Sequence, residues 1–383
     1  MLVFQYRQHS LRESFFVLVF TTRSLPLLLV HGFRGSPKAA LDEAASKYTN
    51  IRLCMANVRL PYGIHHTVWV SPKLSPIDDN VQVNTDSETG FRADLIDYLR
   101  GYGSENAHDP SSPLGYWIKE LSSHDFRPIR VFLVGSVSGR HTGPQLKKFG
   151  HPKLGELLSA SAFNTPSSWP VVGQFSSIGS FGAQPTSWLT TEWSCSLAGR
   201  GARGLRMIYP CVDDVRNSLE GYDAGGCFPY TQRTAAKQPW LRQFLHRWQA
   251  GKHTRAAPHI KSYTRISPDG AYASWFLLTR LWLPNVPSSS FFRLYAYIQM
   301  SLGCAFKNGA NCFTLITSSG RPEAAVNSSS SGSSDKIKPT IAAIPFPVPY
   351  DLPPVPYSSD DEPWLVDVPH EEPDVFGRIG EPV

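Results

Sequence analysis

The sequence predicts an α/β protein. Its opening reads strand, helix, strand, and farther along short apolar runs rich in β-branched residues keep alternating with stretches whose apolar residues recur at helical spacing. Residues 27–30 form a continuous apolar run suited to a buried strand, and His31-Gly32-Phe33-Arg34-Gly35-Ser36-Pro37 ends it. Residues 38–47 then predict a helix and residues 51–56 a second strand. Residues 63–70 are again apolar and β-branched until Ser71-Pro72 stops them. The stretch 72–88 is polar and turn-rich, with Asp78, Asp79 and Asn80 at its centre.

Residues 91–100 predict an amphipathic helix with Phe91, Leu95, Tyr98 and Leu99 on one side and Gly101 just past its end. A second helix is expected over 115–121, and a strand over 129–134, closed by Gly135-Ser136. Helix 153–161, strand 171–175, helix 187–198 and strand 205–208 follow. Leu241, Phe244 and Trp248 give residues 240–249 a helical spacing. Residues 259–263 and 273–279 predict neighbouring strands, joined through the turn sequence Ser267-Pro268-Asp269-Gly270. Serine-rich 327–334 is low in complexity, and the proline-dense tail from Pro345 suits coil laid over a surface. The expected organisation is a poorly defined extension over 1–26, a shortened first unit over 27–127 and a second over 128–383.

With 383 residues the chain is long enough for two packed domains, and 41% apolar against 18% charged residues excludes disorder throughout. A net charge of +6 is compatible with a polyanionic partner without requiring one. Cys54, Cys195, Cys211, Cys227, Cys304 and Cys312 are widely spaced and include no C-x-x-C pair, which speaks against a thiolate zinc site or a disulfide scaffold and for a reducing location. The apolar runs at 15–20 and 25–30 are split by Thr21-Thr22-Arg23-Ser24, and neither approaches the roughly 20 residues that span a bilayer. No membrane association and no secretory leader are expected.

Three local patterns could carry chemistry. In a strand, His259 and Lys261 would point the same way about 6.6 Å apart, with Ile260 turned inward. One imidazole can move a proton while one ammonium neutralises a phosphate oxygen, although an edge-strand surface pair reads the same way. His65-His66 offers a nucleophile or acid-base group, a metal ligand or a plain structural role, and no carboxylate or cysteine stands at a supporting spacing. After the strand at 171–175, Ser176 and Ser177 suit a phosphate-contact loop or a polar connection.

Taken together, Pro258-His259-Ile260-Lys261-Ser262-Tyr263, Ser267-Pro268-Asp269, the run from Trp169 through Ser177, Ser218-Leu219-Glu220-Gly221-Tyr222 and the run from Phe346 through Pro354 resemble the tyrosyl-DNA phosphodiesterase family of the phospholipase D superfamily. The likeness runs from about Leu27 to about Trp364. The resemblance implies two similar α-β-α sandwich halves meeting at one active site, with no metal and no cofactor. It implies His66 as nucleophile on phosphorus, His259 as general acid and base, and Lys261 as a stabiliser of phosphate charge. Tyr62 matches an aromatic that stacks on DNA, and Ser176 and Ser177 match phosphate-contacting serines. Implied partners are DNA 3′ ends, in single strands or in nicked and broken duplexes, carrying tyrosine or a topoisomerase-derived peptide. A nuclear location and a monomer are implied as well.

The chain departs from the family pattern where chemistry is concentrated. After His65-His66-Thr67 the family has a lysine and this chain has Val68. The hydrophobic strands and Ser-Asn-Leu segment that should follow are replaced by Ser71-Pro72 and polar sequence, so the first half's central sheet is expected to be incomplete. The second active-site asparagine is replaced by Trp282 within Arg280-Leu281-Trp282-Leu283. Losing one well-aimed donor to transition-state charge costs about 10²- to 10³-fold in rate. The expectation is therefore a repair phosphodiesterase with impaired turnover; the alternatives are an inactive single-stranded-DNA-binding relative and a product without an independent role.

Overall fold

The protein is described by a computed structural model over residues 20–22, 25–27, 54–56, 68–78, 84–102, 109, 112–135, 141–160, 165–199, 204–258, 261–279, 298–301, 313–315, 344–346 and 348–382. Short antiparallel ladders join β1 (Phe20–Thr22) to β2 (Leu25–Leu27) and β3 (Cys54–Ala56) to β4 (Val68–Val70). The helix expected over 38–47 lies outside the described residues.

Helix α1 (Phe91–Tyr102) buries the expected Phe91, Leu95, Tyr98 and Leu99. It starts where it does because the Asp86 carboxylate accepts from the amides of Arg92 (2.8 Å) and Ala93 (3.0 Å), filling donors that a first turn leaves open. Gly101, expected beyond its end, is inside it. Helix α2 (Pro113–Ser122) is capped by Ser112, whose hydroxyl accepts from the Gly115 amide. Strand β5 (Val131–Val134) follows, then α3 (Gly150–Ala160), β6 (Val171–Gln174), α4 (Ser194–Ala198), β7 (Leu205–Ile208), α5 (Val212–Arg216), α6 (Gln232–Ala235), β8 (Leu245–His246), β9 (Lys261–Ile266), β10 (Ala273–Thr279) and β11 (Ile298–Ser301). A last pair, β12 (Phe313–Leu315) and β13 (Ile344–Phe346), is antiparallel.

Among the described residues the main sheet has seven strands in the order β5-β11-β10-β9-β6-β7-β8. The pairs from β5 to β6 are antiparallel, and β6-β7 and β7-β8 are parallel. Both faces are covered, as the strand alternation requires. Val171, Phe175, Met207, Tyr263, Trp275 and Leu277 enter one core, while Val172, Ile208, Ile266, Ala273 and Phe276 enter the other. A register shift between Ala273 and Trp275 lets Ala273 and Phe276, three positions apart, serve the same face.

Two expected helices take other forms. Residues 187–198 split into a π-helical turn, Leu189–Trp193, and α4. The Trp193 amide bonds the Trp188 carbonyl at 3.1 Å, and that wider turn stacks the two indoles, with centroids 5.5 Å apart and planes 14° apart. Residues 240–249 become a 3₁₀ segment, Pro239–Phe244, followed by β8. The apolar residues there serve opposite sheet faces, Leu241 and Leu245 in one core and Trp248 in the other, which a single helix cannot do.

The proline-dense tail is coil from residue 348 onward, although Pro345 and Phe346, expected as coil, pair in β13, and it is tied down through its backbone. Amides of Asp351, Tyr357 and Trp364 donate to the carbonyls of Gln249, Leu245 and Pro210. The Trp364 indole donates to Gly225 at 3.1 Å and lies so close that a Cβ on Gly225 would sit 2.0 Å from the ring. Near the C-terminus the buried Asp374 carboxylate accepts from the amides of Tyr222, Phe376 and Arg378. Gly221, at φ +59°, leaves room for that carboxylate. Among the described residues no helix is long and apolar enough to cross a membrane.

One aromatic corner joins Trp188, Trp193, Phe181 and His151. Trp193 also meets Tyr263 edge-on at 5.3 Å, and His151 stands edge-on to Trp193 at 5.9 Å. Trp193→Ala is expected to lower unfolding stability by about 3–5 kcal/mol, read from urea midpoints; a change near zero would contradict this packing. Burial lowers the His151 imidazole from 6.5 to about 4. Because the folded value lies below the unfolded one, the contribution of neutral His151 is complete above pH 6.5 and is lost as pH falls toward 4. Melting temperatures across that interval should fall more steeply for the wild type than for His151→Gln, and parallel curves would contradict it.

Candidate functional site

The antiparallel register of β6 with β9 sets Gly173 opposite Tyr263 and Gln174 opposite Ser262. The chain leaving β6 and the chain entering β9 therefore lie at the same end of the sheet. Ser176 and Ser177 leave from that end, and Lys261 begins β9 there, with Thr279 of β10 on its other side. All three residues are nearly enclosed, Lys261 at 1%, Ser176 at 2% and Ser177 at 5% of full exposure. By strand alternation Lys261 shares its sheet face with Tyr263.

The loop after β6 is shaped by its own sequence. Phe175 enters the core and its amide donates to the Ile208 carbonyl of β7. Phe181 stacks on Trp188 with planes 2° apart and centroids at 6.1 Å. Gly182, at φ +95°, lets the chain turn where a Cβ would meet the Ser187 side chain at 2.6 Å. Between Phe175 and Phe181 the backbone is thus pinned at both ends. No hydrogen bond joins the Ser176 or Ser177 hydroxyl to another described residue, so both retain the capacity to donate to an anionic oxygen.

The sequence patterns include Gln174 but assign it no role. It is fully enclosed, and neither end of its carboxamide has a hydrogen-bond partner. Its signal was available, a lone glutamine inside the apolar run from Val171 to Phe175. On β9, the Ser262 hydroxyl lies 3.4 Å from the Tyr350 hydroxyl of the tail, and Thr264 donates to the Trp275 carbonyl at 2.6 Å. The turn after β9 closes as its sequence predicts, with Asp269 accepting from the Ser267 hydroxyl and the Ala271 amide. These bonds set β9, and with it Lys261, in place.

Of the residues singled out from the sequence, the structure brings together Lys261, Ser176 and Ser177. Tyr62, His65, His66, His259 and Trp282 lie outside the described residues, and the opposition of His66 and His259 lies there with them. Val68 opens β4, its backbone paired with Ala56. Among the described residues no group of three or more His, Cys, Asp or Glu side chains is gathered as a metal-binding set.

Comparison with known proteins follows the same residues. The family profile described as tyrosyl-DNA phosphodiesterase matches residues 67–280, a span that contains Ser176, Ser177, His259 and Lys261 and begins just after His66. Tyrosyl-DNA phosphodiesterase 1 of Drosophila melanogaster is 34% identical over 78% of this chain and 51% of its own length. The Arabidopsis thaliana protein of the same name is 32% identical over 76% of this chain and 52% of its own length. The chain thus spans about half the length of these two relatives. A probable tyrosyl-DNA phosphodiesterase of Caenorhabditis elegans is 29% identical over 94% of this chain and 80% of its own length. The crystal structure of the yeast tyrosyl-DNA phosphodiesterase superposes with a TM-score of 0.53 at 16% identity, covering 84% of this chain and 74% of that one, and shares the fold. With more than half of its length matched by the profile, the chain belongs to the tyrosyl-DNA phosphodiesterase family.

Proposed function

We propose that this protein hydrolyses the phosphodiester bond between a tyrosyl oxygen and a DNA 3′ end, in DNA repair in the nucleus, with turnover reduced by its own substitutions. The observation that carries the reading is the end of the β6-β9 pair, where enclosed Lys261 and the unengaged hydroxyls of Ser176 and Ser177 gather inside the matched family segment. Such a set offers one cation and two donors to the nonbridging oxygens of a phosphate.

The chemistry assigned to the histidines follows from their pKa range. An imidazole near 6.5 is sufficiently unprotonated at neutral pH to attack phosphorus and sufficiently protonated to assist departure. In the first step a ring nitrogen of His66 bonds phosphorus, the bond to the tyrosyl oxygen breaks, and His259 delivers its proton to that oxygen. A phenolate leaving group with a pKa near 10 needs only modest assistance. In the second step His259 takes a proton from water, the water oxygen bonds phosphorus, and the bond to His66 breaks, leaving a 3′-phosphate. Lys261 and the serines stabilise the charge that builds in both steps. Tyr62 stacks on the DNA, and no cofactor or metal takes part. The partners are single-stranded or nicked and broken DNA with tyrosine or a topoisomerase-derived peptide at its end, met by a monomer.

A second reading is favoured by one specific observation. Val68 stands where the family has a lysine, Ser71-Pro72 and polar sequence replace the segment that carries its first asparagine, and Trp282 stands at its second, so three donors to the phosphate are missing. Loss of each costs about 10²- to 10³-fold when donors act independently. With turnover abolished, the same end of the sheet binds single-stranded DNA without cutting it.

Purified protein with a cooperative melt should release tyrosine from a 3′-phosphotyrosyl oligonucleotide, and His259→Ala should abolish the release. No release above a buffer blank would remove the hydrolytic reading. Binding of single-stranded DNA that weakens steeply with salt would then support the second reading, because phosphate contacts release counterions, whereas salt-indifferent binding would remove that too.

A further inference from the structure

The loop that carries Ser176 and Ser177 is gripped from a distant part of the chain. Gln238, 1% exposed, precedes the 3₁₀ segment Pro239–Phe244. Its carboxamide oxygen accepts from the Phe181 amide at 2.9 Å, and its nitrogen donates to the Gly179 carbonyl at 2.9 Å. The same nitrogen lies 3.3 Å from the Tyr230 hydroxyl. The side chain thus presents one acceptor and one donor to the loop as a neighbouring strand would, in an enclosed place where no water competes.

We propose that Gln238 is a positioning residue for phosphate recognition, fixing the 176–180 segment so that the Ser176 and Ser177 hydroxyls stay directed at the bound phosphodiester. The inference rests on the proposed nucleic-acid reading of this site. Gln238 touches no substrate and acts through the loop. Three features assign it this role. Both loop bonds are to backbone atoms, so they set the path of the chain. They fall at Gly179 and Phe181, just beyond the two serines, on the side where Phe181 also stacks on Trp188. Between Phe175, held by Ile208, and Gly179, held by Gln238, only Ser176, Ser177 and Ile178 remain, and this short span has little freedom once both ends are set.

Leucine fills similar volume but neither donates nor accepts, so Gln238→Leu releases the loop. Tyr230→Phe removes only the hydroxyl beside the carboxamide nitrogen and is the milder change. The test is a double-mutant cycle in the full chain, reading affinity for a fluorescent 3′-phosphorylated oligothymidylate, with near-ultraviolet circular dichroism confirming native packing. Gln238→Leu should weaken binding about tenfold, the size of a lost hydrogen bond to a charged group. Tyr230→Phe should weaken it less, in the same direction. In a Ser176→Ala/Ser177→Ala background both changes should have little further effect, because the groups they position are gone. An equal loss in both backgrounds, or no loss in the wild type, overturns the proposal; should Gln238→Leu fail to fold, Tyr230→Phe alone decides by the same comparison. Wild-type protein that does not bind the oligonucleotide overturns the nucleic-acid reading and this inference with it, whereas binding that ignores Gln238 and Tyr230 overturns the inference alone.

Discussion

The antiparallel register between β6 and β9 is the constraint on which the rest depends. Side chains alternate along a strand, so a slip of one residue would send Lys261 and Tyr263 to the other face and exchange the residues of the two cores. The register is held from both sides. Tyr263 lies over Gly173, where a Cβ would come within 2.7 Å of its ring, and on the far side β10 pairs along β9 from Ile266 to Lys261. A side chain at position 173 could not share that space with the tyrosine ring. The site is thus placed by packing at a glycine as much as by the residues that would touch a phosphate.

From that pair outward the molecule stabilises one end of the sheet. The stacked rings of Phe181, Trp188 and Trp193 back the serine loop, and His151 closes the corner with its Nδ1 2.9 Å from the Ser196 hydroxyl and its Nε2 3.2 Å from the Glu192 carboxylate. The proline-dense tail covers the opposite face, placing Tyr350 and Leu352 in the second core and Tyr350 beside Ser262. Val68 pairs with Ala56 in the β3-β4 ladder and belongs neither to the β6-β9 pair nor to its backing. In the proposed reading, recognition of a phosphate rests on Lys261, Ser176 and Ser177 at this end of the sheet, and completion of the reaction calls in addition on His66 and His259.

Much of this was legible in the sequence, and the exceptions have physical causes. Strands β6, β7 and β9 are short runs with Pro, Gly or Ser at their ends, and β10 is an apolar and aromatic run behind the turn at Gly270, a setting in which period and punctuation agree. Helix α1 declared its buried face through Phe91, Leu95, Tyr98 and Leu99. Residues 240–249 misled because helical spacing of Leu241, Phe244 and Trp248 reports only that they are buried, and here they are buried in two cores on opposite sides of a sheet. The π turn at Leu189–Trp193 answers to an indole stack that no local propensity encodes. Ser176, Ser177 and Lys261 stood out as local patterns and took their expected roles from motif resemblance, whereas Gln238 was invisible because its partners at Gly179 and Phe181 lie more than fifty residues away and one glutamine carries no periodic signal.

In the proposed reading nucleic-acid phosphate is held at one location, the end of the β6-β9 pair. Amide hydrogen exchange, with and without a saturating single-stranded oligonucleotide, reads that location without requiring turnover. Protection concentrated in residues 175–182 and at the start of β9 is the expected result. Protection confined to another surface, such as the turn around Gly221 and Asp374, with residues 175–182 exchanging as before, would contradict it.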